Sequence, residues 1–323
     1  MSVLLQREVD TMQLGMIGLG RMGMNMTIRL TRGGHKVIAF DASKQKLKSA
    51  QKEGAAAAQG IEQLVVMLRR PRAIWLMIPA GRPVDDTVDL LSGILAEGDV
   101  VIDGGNSFYK DDIRREELLG SRGIHYLDVG VSGGVWGLEE GYCIMAGGDK
   151  MVFSRIEPIF RTLAPKNGYL HCGPAGAGHF VKMIHNAIEY AMMAAYGEGF
   201  SLLHASPYAK GLNLADVAGL WKHGSVIRSW LLELAEQALR KDGDLSGIRG
   251  YVEDSGEGRW AVQEAVAMGV PVSVTALSLF DRFRSREEDP FSDRLIAALR
   301  NEFGGHAVVP AKKKTGGGRK SPS

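Results

Sequence analysis

The chain has 323 residues, of which 45% are hydrophobic and 24% are charged, and its formal net charge at pH 7 is +2. This composition is typical of a soluble globular protein with one large domain or two ordinary ones, and the small net charge gives no reason to expect nucleic acid as a partner. No stretch approaches the roughly 18 consecutive apolar residues of a membrane span, so we also expect no membrane partner.

The cysteines and the chain ends bear on compartment and on metal binding. Cys143 and Cys172 are too few for a disulfide framework, and their spacing is unlike that of a zinc site. We therefore expect a reducing, cytoplasmic environment and no metal. Residues 1–11 carry acids where a secretory signal would be apolar, and we predict that they form an N-terminal extension. Residues 307–323 are rich in Gly, Lys and Ser, which predicts a disordered basic tail.

Residues 12–176 alternate short apolar runs, which are typical of strands, with stretches of helical period. The strand-like runs are LGMIGLG, HKVIAFD, AIWLMI, DVVIDGG, IHYLDVGV, YCIMAGG and NGYLHC. This alternation predicts βαβ units and a parallel sheet, so we expect a Rossmann-type, doubly wound α/β domain. From residue 177 to residue 306 only helical patterns remain, which predicts an all-α helical domain for substrate binding and dimerisation.

A glycine motif follows the first predicted strand and opens the first predicted helix. Gly18, Gly20 and Gly23 spell G-x-G-x-x-G. The first glycine allows a tight turn, the second lets the backbone approach a pyrophosphate, and the third lets helix and strand pack closely. The motif therefore predicts a dinucleotide site, with contacts from Gly18, Leu19, Gly20, Arg21, Met22 and Gly23.

An acidic residue ends the second predicted strand. Asp41 lies about 20 residues after the glycines, where a carboxylate accepts hydrogen bonds from the adenosine ribose and repels a 2′-phosphate. We therefore predict NAD as the cofactor. NADP is the alternative, because Lys44 and Lys46 are near enough in sequence to hold a phosphate. Further cofactor contacts are predicted at the end of the third strand, at Met77 and Ile78.

The stretch from His179 to Tyr190, HFVKMIHNAIEY, is predicted to be helical, and the segment after it is almost uncharged. One stripe of this helix holds four polar residues at spacings i, i+3, i+4 and i+7, namely Lys182, His185, Asn186 and Glu189. The opposite side is apolar, so we expect a long helix that is buried over most of its surface. A solvated face is the alternative, but such faces usually carry Lys/Glu pairs. An amine, an imidazole, an amide and a carboxylate together indicate acid–base chemistry.

Because a dinucleotide implies hydride transfer, some group must take the proton of the alcohol that is oxidised. Lys182 is the best candidate, since a desolvated lysine has a lowered pKa and can act as a base, and Glu189 would be its opposite partner. In VSGGVWGLEEG, Ser132, Gly133 and Gly134 follow a strand end, where a hydroxyl and free backbone N–H groups suit a carboxylate. A tight turn without a ligand is the alternative there.

Four segments together resemble the 6-phosphogluconate dehydrogenase family: GLGRMG, DGGNS at residues 103–107, VSGGVWG and FVKMIHNAIEY. The HNAIEY ending separates this family from the wider β-hydroxyacid dehydrogenase group. The chain resembles the short, often NAD-linked branch, with which Asp41 agrees. The resemblance implies an enzyme of the pentose phosphate pathway and of gluconate utilisation, which converts 6-phosphogluconate to ribulose 5-phosphate and carbon dioxide.

The same resemblance implies roles for individual residues. Lys182 would be the base toward the C3 hydroxyl and would later polarise the ketone, while Glu189 would protonate C1. His185 and Asn186 would orient the hydroxyl, and the Ser132–Gly134 segment would hold the carboxylate that leaves. Asn106 matches a position near the nicotinamide.

The family pattern also implies a phosphate clamp. Its members would be Tyr190, Arg282, Arg300 and His306, of which the last two would reach into the site of a neighbouring subunit, so we expect a dimer or a tetramer. One segment departs from the pattern: the chain reads DSGEGRW, with Ser255 and Glu257 where the long form carries a lysine and a threonine. An acid beside a phosphate is unfavourable, so either Arg259 compensates or the loop points elsewhere.

Two other functions fit parts of the sequence. A 3-hydroxyisobutyrate-type β-hydroxyacid dehydrogenase would share Gly18, Ser132 and Lys182 but would oxidise a small unphosphorylated acid without decarboxylation. The HNAIEY and RNEFGGH segments disfavour it. A dinucleotide-sensing protein without catalysis would not need a complete acid–base stripe.

Overall fold

The computed structural model describes residues 11–310, apart from the side chain of Phe303. Its first part is an eight-stranded sheet with helices between the strands. The strands are β1 (Gln13–Ile17), β2 (Lys36–Phe40), β3 (Ala56–Ala57), β4 (Ala73–Leu76), β5 (Val100–Asp103), β6 (His125–Ser132), β7 (Cys143–Gly148) and β8 (Tyr169–Gly173). The helices among them are α1 (Arg21–Arg32), α2 (Lys44–Lys52), α3 (Ile61–Met67), α4 (Arg82–Ile94), α5 (Tyr109–Gly120), α6 (Gly137–Glu140) and α7 (Lys150–Leu163).

The strand order across the sheet is β3-β2-β1-β4-β5-β6-β7-β8. The order reverses between β1 and β4, which pair in parallel, and such a switch point opens a crevice at the carboxyl ends of the strands. The predicted Rossmann-type, doubly wound domain is confirmed. The two-residue edge strand β3 was not predicted, because two alanines carry no strand signal of their own.

One strand pair departs from the predicted parallel sheet, because β7 runs antiparallel to β6. The connection from Ser132 to Cys143 contains only a short 3-10 helix and α6. A parallel crossover needs a dozen or more residues, so this link is too short to return the chain to the same end of the sheet.

Both faces of the sheet are covered by apolar side chains. Along β4, Trp75 belongs to one buried cluster and Ile74 to the cluster on the opposite face. The same alternation appears in β5, where Ile102 and Val101 point to opposite faces. A strand that is buried on both faces reads as a continuous apolar run, which explains why AIWLMI and DVVID are recognisable in the sequence.

The rest of the described chain is helical, which confirms the predicted fold class. Its helices are α8 (Ala177–Ala205), α9 (Leu214–Trp221), α10 (Trp230–Lys241), α11 (Glu257–Met268), α12 (Ser273–Arg284) and α13 (Phe291–Gly304). Among the described residues, no helix combines the length and the apolar character that crossing a bilayer requires.

The chain forms two compact units. The first contains residues up to Met193 together with Ser255–Thr275, and the second contains Ala194–Asp254 and the residues from Ala276 onward. The predicted domain limit at residue 176 stays a prediction. The predicted N-terminal extension, except for Thr11, and most of the predicted basic tail lie outside the described residues.

Candidate active site

The glycine turn between β1 and α1 has the properties that a dinucleotide site needs. Gly18 has φ +97°, and a Cβ on it would lie 2.4 Å from the carbonyl oxygen of Met77. A Cβ on Gly23 would lie 2.0 Å from the carbonyl oxygen of Gly18. A Cβ on Gly20 would meet nothing within 4 Å. The first and third glycines are therefore required by the protein's own packing, whereas the second leaves room for a ligand.

Helix α1 begins at Arg21, directly after this open glycine. The first N–H groups of a helix have no partner within the helix, so those of Arg21 and Met22 are donors that suit a pyrophosphate. The backbone N–H of Leu19 is not available in this way, because it donates to the Asp41 carboxylate at 2.7 Å.

Asp41 follows β2 and is held in place by three donors. Its carboxylate accepts from the N–H groups of Leu19 and Ser43, the latter at 2.8 Å, and the Nζ of Lys46 lies 3.5 Å away. Burial raises the pKa of Asp41, but these hydrogen bonds and the charge of Lys46 outweigh burial and leave the pKa below its ordinary value. Asp41 therefore stays ionised, and Lys46 is paired with it.

The ends of β4 and β5 complete this edge of the sheet. Met77 and Ile78 follow β4 and are half-buried. After β5, the Asp103 carboxylate accepts from the N–H of Gly105 at 3.0 Å and from the hydroxyl of Ser107 at 2.7 Å. Asn106, between these two anchored residues, is half-buried at the same edge.

The segment after β6 contains two glycines that need unusual backbone angles. Gly133 has φ +130° and Gly134 has φ +52°, so side chains at these positions would be strained. Ser132 is the last residue of β6 and is half-buried.

Helix α1 holds the continuation of this segment. Asn25 donates to the carbonyl oxygen of Val135 at 3.3 Å, and Arg29 donates to that of Leu138 at 3.0 Å. The segment from Ser132 onward is therefore fixed beside the helix that opens the dinucleotide site.

The polar stripe of α8 is most deeply buried at its first residue, Lys182. The side chain of Lys182 is buried, with 8% exposure, while His185, Asn186 and Glu189 are half-buried. A Cβ on Gly130 of β6 would lie 2.3 Å from the Cβ of Lys182. The absence of a side chain at Gly130 is therefore what lets α8 pack closely on the sheet at this lysine.

Burial dominates the protonation of Lys182. It lowers the pKa of the ammonium below its ordinary value, and the carboxylates of Glu189 and Glu257 only partly oppose this effect. Among the described residues, no side chain forms an ion pair with Lys182. A buried amine without a paired counter-charge loses its proton more easily than an exposed one, as a general base requires.

Three members of the stripe are joined by short contacts. The Nδ1 of His185 lies 3.0 Å from the Oδ1 of Asn186 and 3.9 Å from a carboxylate oxygen of Glu189. The Nε2 of His185 lies 3.4 Å from the hydroxyl oxygen of Ser132. The structure therefore brings the predicted stripe and the predicted carboxylate-binding segment together at one place.

The opposite side of α8 does not follow the sequence prediction. The helix was expected to be buried over most of its surface, but Val181, Ile184, Ile188 and Met192 are exposed, Ile188 to 55%. The prediction was wrong for the single chain because the apolar side of α8 contacts little else in the described structure.

The sequence left open whether Glu257 lies beside the phosphate or whether its loop points elsewhere. Glu257 is the first residue of α11 and is buried, and its carboxylate accepts from the Nδ2 of Asn186 at 2.9 Å and from the hydroxyl of Ser255 at 2.7 Å. Its side chain thus belongs to the α8 stripe. The N–H of Ser255 donates to the hydroxyl oxygen of Tyr190 at 3.3 Å, which attaches a predicted phosphate ligand to the same loop.

A buried ionic network, also missed by the sequence analysis, lies beside the site. The Asp112 carboxylate contacts the Nδ1 of His179 at 2.7 Å and accepts from the Tyr126 hydroxyl at 2.8 Å. Arg115 donates to Asp112 at 3.4 Å and to Asp103 at 3.2 Å. Asp103, Asp112 and His179 are close enough together to ligate a metal ion. The guanidinium of Arg115 already bridges the two carboxylates with its positive charge.

This network anchors the start of α8. Burial by itself lowers the pKa of His179, but the charge of Asp112 and the hydrogen bond to it overcome burial and raise the pKa to about 9. The neighbouring Asp128 accepts from the backbone N–H groups of Gly176 and His179 at 2.7 and 2.8 Å, which satisfies donors of the first helical turn. Through Asp103, the same network also holds the loop that carries Asn106.

The other predicted phosphate ligands lie in the second compact unit. Arg282 of α12 donates to the carbonyl oxygen of Glu253 at 2.7 Å. Arg300 and His306 lie at the end of α13, where the N–H of His306 donates to the carbonyl oxygen of Arg300 at 3.4 Å. This backbone hydrogen bond places the two residues at the same end of α13, and their role as phosphate ligands stays a prediction.

Two protein-family models match consecutive parts of the chain. Residues 13–173 match the NAD binding domain of 6-phosphogluconate dehydrogenase, and residues 178–293 match the C-terminal domain of the same enzyme. A NAD(+)-dependent, decarboxylating 6-phosphogluconate dehydrogenase of Haloferax volcanii is 46% identical over 300 residues, which are 92% of this chain and 99% of that protein.

Solved structures of two dehydrogenases have a similar fold. The 6-phosphogluconate dehydrogenase of Plasmodium falciparum superposes with a TM-score of 0.78 at 27% identity, over 94% of this chain and 67% of that one. A 3-hydroxyisobutyrate dehydrogenase of Mycobacterium tuberculosis superposes with a TM-score of 0.69 at 22% identity, over 90% of this chain and 99% of that one, a likeness of fold alone. Because the two family matches together cover most of the chain and a relative of nearly equal length is 46% identical, the chain belongs to the 6-phosphogluconate dehydrogenase family.

Proposed function

We propose that this protein is a NAD-dependent oxidoreductase that converts 6-phosphogluconate to ribulose 5-phosphate and carbon dioxide. The observation that carries the proposal is the buried amine of Lys182, which lies beside His185, Asn186 and Glu189 and forms no ion pair with a described residue. The relatives of the chain include a NAD(+)-dependent enzyme of this reaction. The C-terminal family match disfavours the 3-hydroxyisobutyrate-type alternative.

The residues of the first turn fit NAD. The open side of Gly20 gives a pyrophosphate access to the backbone, and the first N–H groups of α1 would bind it. Asp41 would accept from the ribose hydroxyls, while its charge and its pairing with Lys46 disfavour a 2′-phosphate. NAD, when bound, supplies the hydride acceptor.

Lys182 would act on the C3 hydroxyl. Because burial lowers its pKa, a larger fraction of Lys182 is neutral near physiological pH than of an ordinary lysine, and the neutral amine takes the hydroxyl proton as C3 is oxidised. The resulting ammonium then donates a hydrogen bond to the new ketone. Withdrawal of electrons by this ketone, β to the carboxylate, promotes loss of C1 as carbon dioxide without a metal ion.

Glu189 would complete the proton transfers. Decarboxylation leaves an enediol that must gain a proton at the former C2 of the substrate, which becomes C1 of ribulose 5-phosphate. A half-buried carboxyl group two turns along the same stripe can supply it. His185 and Asn186 lie between the two groups and would orient the substrate hydroxyl. Ser132, Gly133 and Gly134 would bind the carboxylate until it leaves.

The phosphate would be bound by Tyr190 and Arg282, with Arg300 and His306 supplied by a second copy of the chain. Two arginines, a histidine and a hydroxyl are sensible partners for a dianion. Ser255, whose N–H already contacts the Tyr190 hydroxyl, adds a polar neighbour.

Self-association is part of this proposal. The apolar side of α8, with Val181, Ile184 and Ile188, is exposed in the single chain, and exposed apolar patches of this kind mark interfaces. Light scattering on the purified protein should give a mass of at least two chains. An active monomer would remove the shared phosphate clamp from the proposal.

The reaction is tested with purified protein, 6-phosphogluconate and either NAD or NADP. We expect reduced cofactor to accumulate with NAD and an equal amount of carbon dioxide to be released. Reduction without carbon dioxide would contradict the proposal, and so would oxidation of 3-hydroxyisobutyrate in preference to 6-phosphogluconate.

A further inference from the structure

Glu257 is the residue at the site for which the family resemblance offers no role. It is 2% exposed, and its carboxylate accepts hydrogen bonds from Asn186 and from Ser255. The negative charge at the first position of α11 is favourable, because helix N-termini carry a partial positive charge. A buried carboxylate with both oxygens engaged is a fixed part of the site.

An ionised carboxylate can only accept hydrogen bonds, and this fixes the orientation of Asn186. The amide must turn its NH₂ group toward Glu257, at 2.9 Å, and so its oxygen faces the Nδ1 of His185, at 3.0 Å. A reversed amide would place two acceptors against each other at Glu257.

The orientation of Asn186 in turn fixes the tautomer of His185. An amide oxygen only accepts, so the neutral imidazole must carry its hydrogen on Nδ1. The carboxylate of Glu189, 3.9 Å from the same nitrogen, favours the same tautomer. The Nε2 of His185 is then an acceptor, and its partner at 3.4 Å, the hydroxyl of Ser132, must be the donor.

We infer that Glu257 is a positioning residue that sets the direction of a hydrogen-bond chain running through Asn186 and His185 to Ser132. This inference rests on the proposed function for its catalytic meaning. By holding Nδ1–H on His185, Glu257 leaves the Nε2 lone pair aimed at Ser132, in the segment proposed to bind the substrate carboxylate. Each polar group in this hydrogen-bond chain is thereby fixed as a donor or an acceptor toward its neighbour before the substrate binds.

Replacing Glu257 removes the acceptor at the head of this chain. Glu257→Leu leaves the Asn186 amide free to reverse, and Glu257→Gln, nearly the same size, offers a donor and an acceptor instead of two acceptors. The matched control is Glu264→Leu, on the same helix and 6% exposed, whose carboxylate pairs with Lys110 and does not contact the α8 stripe.

The direct readout is the ¹⁵N chemical shifts of the His185 ring in the substrate-free protein, at a pH where the ring is neutral. We expect Nδ1–H in the wild type and in Glu264→Leu, and a larger share of Nε2–H in both Glu257 variants. The inference is overturned if the wild type carries Nε2–H, or if both Glu257 variants keep the wild-type tautomer.

Kinetics provide the second readout. Because misplaced reacting groups cost on the order of 100-fold in rate, we expect kcat of Glu257→Leu to fall by about that factor while the KM for NAD is unchanged. A wild-type protein that shows the Nδ1–H tautomer but does not turn over 6-phosphogluconate would contradict the proposed function alone. An unchanged kcat in Glu257→Leu would contradict the inference alone.

Discussion

His179 and Lys182 lie one turn apart on α8 and both are buried, yet their pKa values are shifted in opposite directions. The pKa of His179 is raised to about 9, because its ring contacts the Asp112 carboxylate. The pKa of Lys182 is lowered, because burial acts there without a paired carboxylate. Burial alone favours the neutral form of both groups, so the presence of a partner decides the outcome.

The two regions around these residues therefore have different uses. The network of His179, Asp112 and Arg115 compensates each charge with an opposite one, and it anchors the start of the helix and the loop near Asn106. Lys182 forms no ion pair with any described residue, and the charges of Glu189 and Glu257 offset only part of the cost of its burial. Such an uncompensated group is a candidate for catalysis, whereas a compensated network is a candidate for structural support.

The largest effect is expected from removing the uncompensated amine. Lys182→Met should lower kcat by about 10²- to 10⁴-fold, the range that general acid–base groups contribute. Its free energy of unfolding should not fall, because no ion pair is lost and a buried charge is removed. Turnover and urea unfolding measure both quantities, with the exposed Lys166→Met as the control. If Lys182→Met lowered the free energy of unfolding strongly but kept its turnover, Lys182 would be a structural residue and not a catalytic one.

The compensated network should respond in the opposite way. Asp112→Ala leaves His179 and Arg115 without one of their counter-charges, and breaking a buried ion pair costs about 3–5 kcal/mol of unfolding free energy. The control is Asp111→Ala, at a half-buried neighbouring position whose contacts with arginine are longer. The free energies of unfolding of both variants, measured in urea, test this prediction. Equal values would show that the network contributes little to stability.

A smaller effect is expected from pH. The pKa of His179 is raised from 6.5 to about 9, so its contribution to stability is fully present below pH 6.5 and is lost as pH rises through about 9. His179→Gln should lack this part of the pH dependence, which amounts to a few kcal/mol. Unfolding free energies of wild type and variant across pH 6 to 10 should converge as pH rises. Parallel curves would mean that the imidazole is neutral in the folded protein.

The smallest effect concerns the cofactor. Asp41→Ala removes the carboxylate that accepts from Leu19 and pairs with Lys46, and it frees Lys46 to approach a 2′-phosphate. The ratio of kcat/KM for NAD to that for NADP should fall by about tenfold, the equivalent of about 1.4 kcal/mol. The exposed Asp86→Ala should leave the ratio unchanged. If Asp41→Ala keeps the full preference for NAD, another residue discriminates between the two dinucleotides.

Local signals in the sequence were sufficient for the fold and for part of the site. The glycine turn, the acid at Asp41 and the spacing of Lys182 and Glu189 each depend on a few neighbouring residues, so they can be read without the tertiary structure. The buried strands are equally visible because β4 and β5 are apolar on both faces.

Features that depend on distant contacts could not be read in this way. Glu257 joins the stripe across 71 residues of sequence, and His179 meets Asp112 across 67. A buried carboxylate in such a pairing looks like any surface acid when only the sequence is known. The antiparallel β7 was missed for a related reason, because the apolar pattern of a strand does not record its direction.

The central claim is that Lys182 is an amine whose pKa burial has lowered, and lysine titration by NMR tests it most directly. In protein labelled with ¹³C at lysine Cε, the Lys182 signal is assigned by its absence in Lys182→Met. We predict that Lys182 titrates below the ordinary lysine pKa of 10.5, whereas Lys110, which pairs with Glu264, titrates above it. A Lys182 that titrates at or above 10.5 would contradict the account.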